Sequence, residues 1–284
     1  MIAYYKIMKK FISMVTMIMM LGLLMAGCGN SASNDGQQLK GNIATNGSTS
    51  MEKVIGILSE AFMQENSGVT ITYDASGSGT GIEAVSKGTC DIGLSSRSLK
   101  DSEKAKGLKE TTLALDGIAI IVNENCPLDN LTTEQVAGLF KGEADWSSVG
   151  GKAGAVAAIG REAGSGTRDG FESITKTKDK CKLTQELTST GAVIEAVKNS
   201  EAAIGYASFA AVANQKGIKV LKINGFECTE ENILAGKYVI QRPFNLITKE
   251  GTPLSEISQK FFDFMVSKNA ADMITKAGAV PTAK

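Results

Sequence analysis

The chain has 284 residues, with 30 basic and 30 acidic side chains, five cysteines and no histidine. Balanced charge argues against a nucleic-acid-binding protein, because no positive surplus is available to neutralise a phosphate backbone. The missing histidine and the widely spaced cysteines, none in a C-x-x-C pair, argue against zinc and haem sites. The length is enough for one large or two modest domains with real cores.

The N-terminal segment predicts export. Residues 1–10 carry three lysines and no acid, and an apolar run follows at residues 11–26. The run has about 16 residues, fewer than the roughly 20 that span a bilayer. A basic stretch, an apolar run and small residues are typical of a signal peptide. Residues 25–28 (Met-Ala-Gly-Cys) resemble a bacterial lipobox, so we expect a lipoprotein signal peptide at 1–27 and a lipidated Cys28. An uncleaved anchor or an ordinary secretion signal is the alternative.

Residues 28–38 predict a flexible tether, because they are rich in Ser, Asn and Gly and lack an apolar pattern. From Leu39 onward, short β-like runs alternate with helical patterns. The predicted strands are Gly41–Thr45, Val69–Tyr73, Asp91–Leu94, Thr112–Val122, Val156–Gly160, Ala203–Tyr206, Ile218–Ile223 and Tyr238–Thr248.

Helical patterns lie between these strands. Apolar spacing predicts a helix at Ser50–Glu65, and a capping box at Thr132 and Gln135 predicts another that runs through Phe140. A further apolar stripe follows Leu254. The alternation of strand and helix predicts an α/β fold with mostly parallel strand pairing.

Three loops rich in Gly, Ser and Thr each lie between a predicted strand and a helix, at Gly47–Ser50, Gly77–Gly81 and Gly164–Thr167. The first turn of a helix has unpaired N–H groups and the positive end of the peptide dipole, so it attracts anions. Glycine lets the backbone approach a ligand, and hydroxyl groups donate hydrogen bonds without adding charge. One such loop is weak evidence, since Ser and Thr are also common N-caps. Three of them predict a site for a tetrahedral oxyanion held mainly by neutral donors.

Two arginines flank the third loop. Arg161 stands at the end of the preceding predicted strand, and Arg168 follows the loop directly. The guanidinium group is a planar fork that can hold two oxygens of a phosphate at once. We therefore expect Arg161 to contact the ligand, whereas Arg168 is equally compatible with a solvated surface position.

The same segments carry a family resemblance, most specifically the stretch Arg161–Arg168 (REAGSGTR). Further matching stretches are Asn46–Thr49, Ala75–Gly81, Asp91–Arg97, Leu139–Gly142, Ala203–Tyr206 and Arg242–Phe244. Together they resemble the PstS-type substrate-binding lipoproteins of phosphate ABC transporters. The resemblance runs from about Gly41 to the C-terminus.

The resemblance implies a two-lobed α/β fold of the periplasmic-binding-protein-like type (class II), with two hinge crossings and a ligand cleft between the lobes. We expect the crossings near Leu115–Ala119 and Tyr238–Arg242. The first lobe would contain residues 39–115 plus 243–284. The second lobe would contain residues 116–242, including the return hinge.

The resemblance also implies a set of phosphate contacts. Carried over by motif, they are Thr49, Ser78, Arg161, Ser165, Gly166 and Thr167, with Ser48, Ser50, Ser96 and Arg97 as lower-ranked candidates. Some family members have an aspartate where this chain has Ser96, and that aspartate accepts the proton of hydrogen phosphate. Here the acceptor stays open between a serine oxygen, a backbone carbonyl and another acid such as Asp74.

The expected function is that of an extracytoplasmic receptor, lipid-anchored through Cys28, that binds inorganic phosphate and delivers it to the permease subunits of an ABC transporter. We expect no cofactor, metal, catalytic residue or nucleic-acid partner. A receptor for another oxyanion, such as sulfate or molybdate, is the alternative. An exported phosphatase is less favoured, because no loop continues as a P-loop, no G-x-S-x-G elbow occurs and no histidine can activate a serine. The pattern does not decide whether Cys90, Cys126, Cys181 and Cys228 form disulfides or remain free thiols.

Overall fold

A computed structural model describes residues 39–282. The predicted signal peptide, Cys28 and the tether lie outside the described residues, so these expectations stay predictions. Among residues 39–282, none of the helices combines the length and the apolar composition of a membrane-spanning segment.

The strands alternate with helices along the chain. The strands are β1 (Lys40–Gly47), β2 (Gly68–Asp74), β3 (Ile92–Ser95), β4 (Leu108–Asn123), β5 (Asn130–Leu131), β6 (Ala157–Arg161), β7 (Gln185–Leu187), β8 (Ala203–Ser208), β9 (Ile218–Val220), β10 (Lys222–Ile223), β11 (Gln241–Lys249) and β12 (Val280–Pro281). The helices are α1 (Glu52–Glu65), α2 (Ser78–Lys87), α3 (Asp101–Lys104), α4 (Thr133–Lys141), α5 (Gly166–Thr175), α6 (Thr190–Lys198), α7 (Phe209–Val212), α8 (Glu230–Leu234), α9 (Glu256–Met265) and α10 (Lys268–Lys276), with a single 3-10 turn at Ser147–Val149.

Most predicted elements are confirmed. The predicted strands coincide with β1, β2, β3, β4, β6, β8 and β11, and the capping box holds because Thr132 and Gln135 bond to each other's backbone N–H. Two predictions need correction. The first helix begins at Glu52 because Ser48–Met51 form a turn. The predicted strand Ile218–Ile223 is divided between β9 and β10, which lie in different sheets.

One curled sheet runs through the structure in the order β2-β1-β3-β11-β4-β8-β6-β7, with β9 and β12 also paired to β4. β1 is parallel to β2 and β3, and β6 is parallel to β7 and β8. β11 is antiparallel to both β3 and β4, and β4 is antiparallel to β8. The prediction of mostly parallel pairing is therefore wrong. The sheet is mixed because the chain leaves one lobe along β4 and returns beside it along β11, in the opposite direction.

Two apolar cores lie at either end of this sheet. One contains Phe140, Phe171 and Tyr206, whose rings pack together, and the other contains Phe62 and Phe261. β4 contributes to both cores. It pairs with β11 up to Gly117 and with β8 from Ile118 onward. The fold is thus a two-lobed α/β structure of the periplasmic-binding-protein-like type, and the exact lobe limits given above remain a proposal.

The four cysteines within residues 39–282 are free thiols. Cys126 and Cys228 are buried, and Cys90 and Cys181 are partly buried. Burial and the neighbouring Asp91 raise the pKa of Cys90 to about 11, which disfavours its thiolate form. Of the two possibilities left open by the sequence, the structure has the free thiols.

Candidate anion-binding site

A cluster of hydroxyl groups from both lobes lies where the helix N-termini meet. Ser50, in the turn before α1, has its Oγ 2.9 Å from Thr167 Oγ1 and 3.0 Å from Thr190 Oγ1. Thr49 Oγ1 is 2.9 Å from Thr190 Oγ1. All four side chains are buried, at 5 % exposure or less. Thr167 is in the first turn of α5 and Thr190 begins α6, so three helix N-termini supply these groups. We call these four residues the hydroxyl cluster.

Arg161 is the last residue of β6, and its positively charged side chain lies against the hydroxyl cluster. It is 2 % exposed. Its Nη1 donates to Thr49 Oγ1 at 3.1 Å and to Thr190 Oγ1 at 3.3 Å. Nε donates to the carbonyl of Leu187 at 3.0 Å, and Nη2 to the carbonyl of Thr188 at 2.8 Å. Among the ion pairs of residues 39–282, none involves Arg161. The guanidinium group is therefore held in place by neutral oxygens.

The electrostatics of Arg161 favour an anion. Burial lowers the pKa of Arg161 to about 10, Tyr206 and Glu162 oppose this shift, and the neighbouring Arg242 adds to it. The group is still protonated at neutral pH. A buried positive charge without a carboxylate partner is costly, and a bound anion would remove that cost. The positive ends of the helix dipoles add to the attraction.

A second arginine supports the hydroxyl cluster without adding net charge. Arg242 Nη1 donates to Thr167 Oγ1 at 2.6 Å, while its Nη2 lies 2.9 Å from Asp116 Oδ2. The hydroxyl of Ser208 donates to Asp116 Oδ1 at 2.8 Å. Burial lowers the pKa of Arg242 and raises the pKa of Asp116, while each partner's charge opposes the shift of the other. The Arg242–Asp116 pair orients Thr167 and is neutral as a whole. The net positive charge beside the hydroxyl cluster is therefore that of Arg161.

A second contact across the cleft involves the glycine loops. Ser78 Oγ, at the start of α2, accepts the backbone N–H of Ser96 at 3.0 Å and lies 3.1 Å from Ser96 Oγ. Gly166 packs against both, since a Cβ there would lie 2.5 Å from Ser78 Oγ and 2.6 Å from Ser96 Oγ. Nearby, the N–H of Gly79 donates to the carbonyl of Gly164 at 3.0 Å. Position 166 requires glycine, because any side chain there would displace Ser78 and Ser96.

Two of the predicted contact residues act on the local backbone. The hydroxyl oxygen of Ser165 accepts the N–H of Arg168 at 3.3 Å and so caps α5. The hydroxyl oxygen of Ser48 accepts the N–H of Ser50 at 3.3 Å. Both are buried beside the groups described above. They hold the loops in shape, and a direct role of either in ligand binding remains a proposal.

The other charged candidates bind protein groups. Arg97 is paired with Glu103 and Asp169. Arg168 pairs with Glu172 at 2.7 Å and with Glu186 at 3.1 Å. Both guanidinium groups are therefore neutralised by carboxylates, unlike that of Arg161.

Asp74, considered as a proton acceptor, instead receives the side-chain N–H of Asn46 at 2.7 Å on an exposed part of the surface. Oxygens of the hydroxyl cluster can serve as acceptors, because a hydroxyl group can both donate and accept. Within residues 39–282, no group of three or more Cys, Asp or Glu side chains forms a candidate metal site.

Sequence reasoning missed Thr190 and Arg242 as members of the site. Thr190 belongs to Thr188–Gly191, another Ser/Thr/Gly segment before a helix, and Ser189 caps α6 by accepting the N–H of Ala192 at 3.1 Å. This signal was the same as in the other loops. The preceding strand, β7, has only three residues and no apolar alternation, so the pattern predicts no strand-to-helix loop there. For Arg242 the sequence predicts a place in the return crossing Tyr238–Arg242 and in a matching stretch, but no contact with the site.

The hydroxyl cluster also lies beside open space. Thr49, Ser50 and Thr190 line a surface cavity of about 280 Å³, together with Lys53 and Gln215. The groups that would hold an anion are thus a short distance from solvent.

Comparison with known proteins identifies relatives over most of the chain. The model of the PBP superfamily domain matches residues 32–269. The phosphate-binding protein PstS of Borreliella burgdorferi is 29 % identical, over 83 % of this chain and 88 % of that protein. PstS of Staphylococcus saprophyticus is 30 % identical, over 86 % of this chain and 81 % of that protein.

Solved structures agree with this fold. A Clostridium perfringens protein, described as a phosphate ABC transporter substrate-binding protein with bound phosphate, is 35 % identical, with a TM-score of 0.81 over 85 % of this chain and 100 % of that chain. A Vibrio cholerae ABC-type phosphate transport receptor is 32 % identical, with a TM-score of 0.69 over 84 % of this chain and 99 % of that chain.

Proposed function

The chain belongs to the PstS-type family of the PBP superfamily, and on that premise we propose that it is a receptor that binds inorganic phosphate outside the cytoplasm and delivers it to an ABC-type import permease. One observation carries the proposal: Arg161 is buried, and within residues 39–282 its guanidinium group donates to neutral oxygens and has no ion-pair partner. A charge held in this way is suited to an anion rather than to a structural ion pair.

The surrounding groups favour a small tetrahedral anion. The hydroxyl cluster and Ser78 supply five hydroxyl groups, and α1, α2, α5 and α6 direct their N-termini to this region. Phosphate has four oxygens arranged around one centre, so donors arriving from both lobes can each reach one. The proton of hydrogen phosphate requires an acceptor, and a serine or threonine oxygen of the hydroxyl cluster fills that role.

The proposed binding step is closure of the two lobes, residues 39–115 plus 243–284 and residues 116–242. Phosphate first meets the donors of one lobe, and closure then completes the donor set and excludes water. The bound anion stabilises the closed form because it contacts groups of both lobes only in that form. The relatives are binding proteins, and we propose no enzymatic activity.

Anchoring is the part of the proposal that rests on the N-terminal sequence. Residues 1–27 have the pattern of a lipoprotein signal, and Cys28 stands where acylation occurs in a lipobox. The tether at residues 29–38 would let the receptor reach a permease in the same membrane. We expect Cys28→Ser to abolish the incorporation of labelled palmitate into the protein. Equal incorporation into the variant and the native chain would contradict lipidation at Cys28.

Calorimetric titration of residues 29–284 with phosphate, sulfate and arsenate tests the function. We expect phosphate to bind, and sulfate to bind clearly more weakly. Absence of binding heat with phosphate, or equal affinity for sulfate, would contradict a phosphate receptor. Equal affinity would favour the alternative of a general oxyanion receptor. Release of phosphate from a phosphomonoester by the purified protein would instead support a phosphatase.

A further inference from the structure

Arg97 has a different environment from Arg161, because its guanidinium group faces carboxylates. Its Nη1 and Nη2 donate to the two carboxylate oxygens of Glu103 at 2.8 and 2.7 Å. Its Nε lies 2.9 Å from Asp169 Oδ2, an ion pair that lacks the alignment of a hydrogen bond. Arg97 is 8 % exposed, and Asp169 is 36 % exposed at its side chain. The guanidinium group therefore joins two carboxylates, of which only Glu103 is a close neighbour in sequence.

The Arg97–Asp169 pair crosses the cleft. Arg97 follows β3, and its neighbour Leu99 packs in a small apolar cluster with Ile247 of β11. Asp169 is in α5, whose Phe171 packs in the core of the other lobe. α5 also carries Gly166 and Thr167 at its N-terminus, so the pair holds the helix that presents these groups to the cleft.

Glu103 prepares Arg97 for its contact with Asp169. Because it binds Arg97 in a bidentate manner within one lobe, the guanidinium group is already oriented before Asp169 approaches. The nearby carboxylates raise the pKa of Arg97 against the opposing effect of its burial, so it remains charged. Lys100 Nζ, 3.8 Å from Asp169 Oδ2, adds a second positive charge. On closure Asp169 is therefore attracted by Arg97 and Lys100. When the lobes separate, Arg97 keeps Glu103 as its partner.

We propose that Arg97 and Asp169 form a latch that stabilises the closed arrangement of the lobes and so raises the affinity for the anion without either residue touching it. The proposal rests on the proposed function, phosphate binding. The apparent affinity of a receptor falls when a smaller fraction of its molecules is in the binding-competent form. Arg97 is then a positioning residue, in contrast to the direct anion contact expected from its motif.

The variant Asp169→Asn tests the latch, because it keeps the size of the side chain and removes its charge. We expect phosphate affinity to fall about twofold to fivefold, the effect of a partly exposed ion pair. The loss should appear mainly as faster phosphate dissociation. Small-angle X-ray scattering of the phosphate-free protein should give a larger radius of gyration for the variant. Asp169→Glu, which keeps the charge, should restore most of the affinity.

The matched control is Asp129→Asn. Asp129 pairs with Lys219 at 2.8 Å within one lobe, away from the cleft. The variant Asp129→Asn should leave the affinity for phosphate and the radius of gyration unchanged. Arg97→Gln should weaken phosphate binding less in the Asp169→Asn variant than in the native chain. The reason is that the two residues act through one contact, which Asp169→Asn has already removed.

Two outcomes separate this proposal from the function itself. If the native chain binds phosphate and Asp169→Asn binds it with the same affinity and dissociation rate, the latch is overturned and the receptor function stands. If the native chain does not bind phosphate, the proposed function fails first. An equal loss of affinity in Asp129→Asn would also overturn the latch, because it would show a general effect of charge.

Discussion

Arg161 Nη1 lies 3.1 Å from Thr49 Oγ1, although 112 residues separate the two in the chain. Thr49 belongs to the turn before α1 in one lobe, and Arg161 ends β6 in the other. The contact joins the cation of the site to a hydroxyl group of the opposite lobe. Any anion held by both therefore bridges the cleft.

Replacing Arg161 should have the largest effect on phosphate binding. We expect Arg161→Ala to cost at least about 1.5–3 kcal/mol of binding free energy, the range for a charged hydrogen bond. Arg161→Lys should lose less, because it keeps the charge and gives up the planar fork. Isothermal titration calorimetry with phosphate measures both. A near-neutral result for Arg161→Ala would mean that the arginine only supports the loops at Leu187 and Thr188.

Thr190 should behave as a binding residue, like the hydroxyl residues of the three predicted loops. Thr190→Val keeps the shape of the side chain and removes the hydroxyl group, which bonds Thr49, Ser50 and Arg161. We expect a loss of about 0.5–1.5 kcal/mol of phosphate binding free energy. The matched control is Thr175→Val, which removes a buried hydroxyl group outside the site. Equal affinities for the two variants would exclude a role of Thr190 in binding.

Gly166 should not tolerate a side chain. The Cβ of Gly166→Ala would lie 2.5 Å from Ser78 Oγ, so the loops must separate, and overpacking of this kind costs about 1–3 kcal/mol. We expect weaker phosphate binding and little change in the midpoint of the thermal unfolding transition. Gly56→Ala in α1 is the control, because no atom lies within 4 Å of its Cβ and alanine favours a helix. Calorimetry and thermal denaturation of the two variants test this. Unchanged affinity in Gly166→Ala would show that the lobes close without this contact.

The cysteines predict slow thiol chemistry. A pKa of about 11 for Cys90, two units above its ordinary value of 9.0, lowers its thiolate fraction at pH 8 about a hundredfold. The reaction of Cys90 in the native protein with a disulfide reagent should therefore be slow at pH 8 and accelerate as the pH approaches 11. Residues 29–284 contain four cysteines, and all four should react after denaturation without reductant. Recovery of fewer than four thiols would reveal a disulfide.

The site was predictable where its signal is local. Gly, Ser and Thr before a helix mark the loops of Thr49, Ser78 and Thr167 because capping and turn geometry depend on neighbouring residues. Contacts between distant segments left no such mark. Asp116 and Arg242 are 126 residues apart, and nothing in either segment indicates that they pair.

The sheet follows the same rule. Short β-like runs predict the positions of β4 and β11 along the chain, but the direction in which they pair depends on the return of the chain from the second lobe. A pattern within one strand contains no information about that return. The assumption of parallel pairing was therefore wrong at the centre of the sheet and correct at its two ends, where helices connect β1 with β2 and β6 with β8.

β4 also determines how the protein unfolds. It is one continuous strand of 16 residues that supplies ladder partners and core side chains to both lobes. Melting either lobe would leave half of β4 with unpaired backbone groups, so the two lobes should lose their structure in a single cooperative transition. A fragment cut between them would carry an open strand edge and would tend to aggregate. The lobes can move as separate bodies and still fold as one.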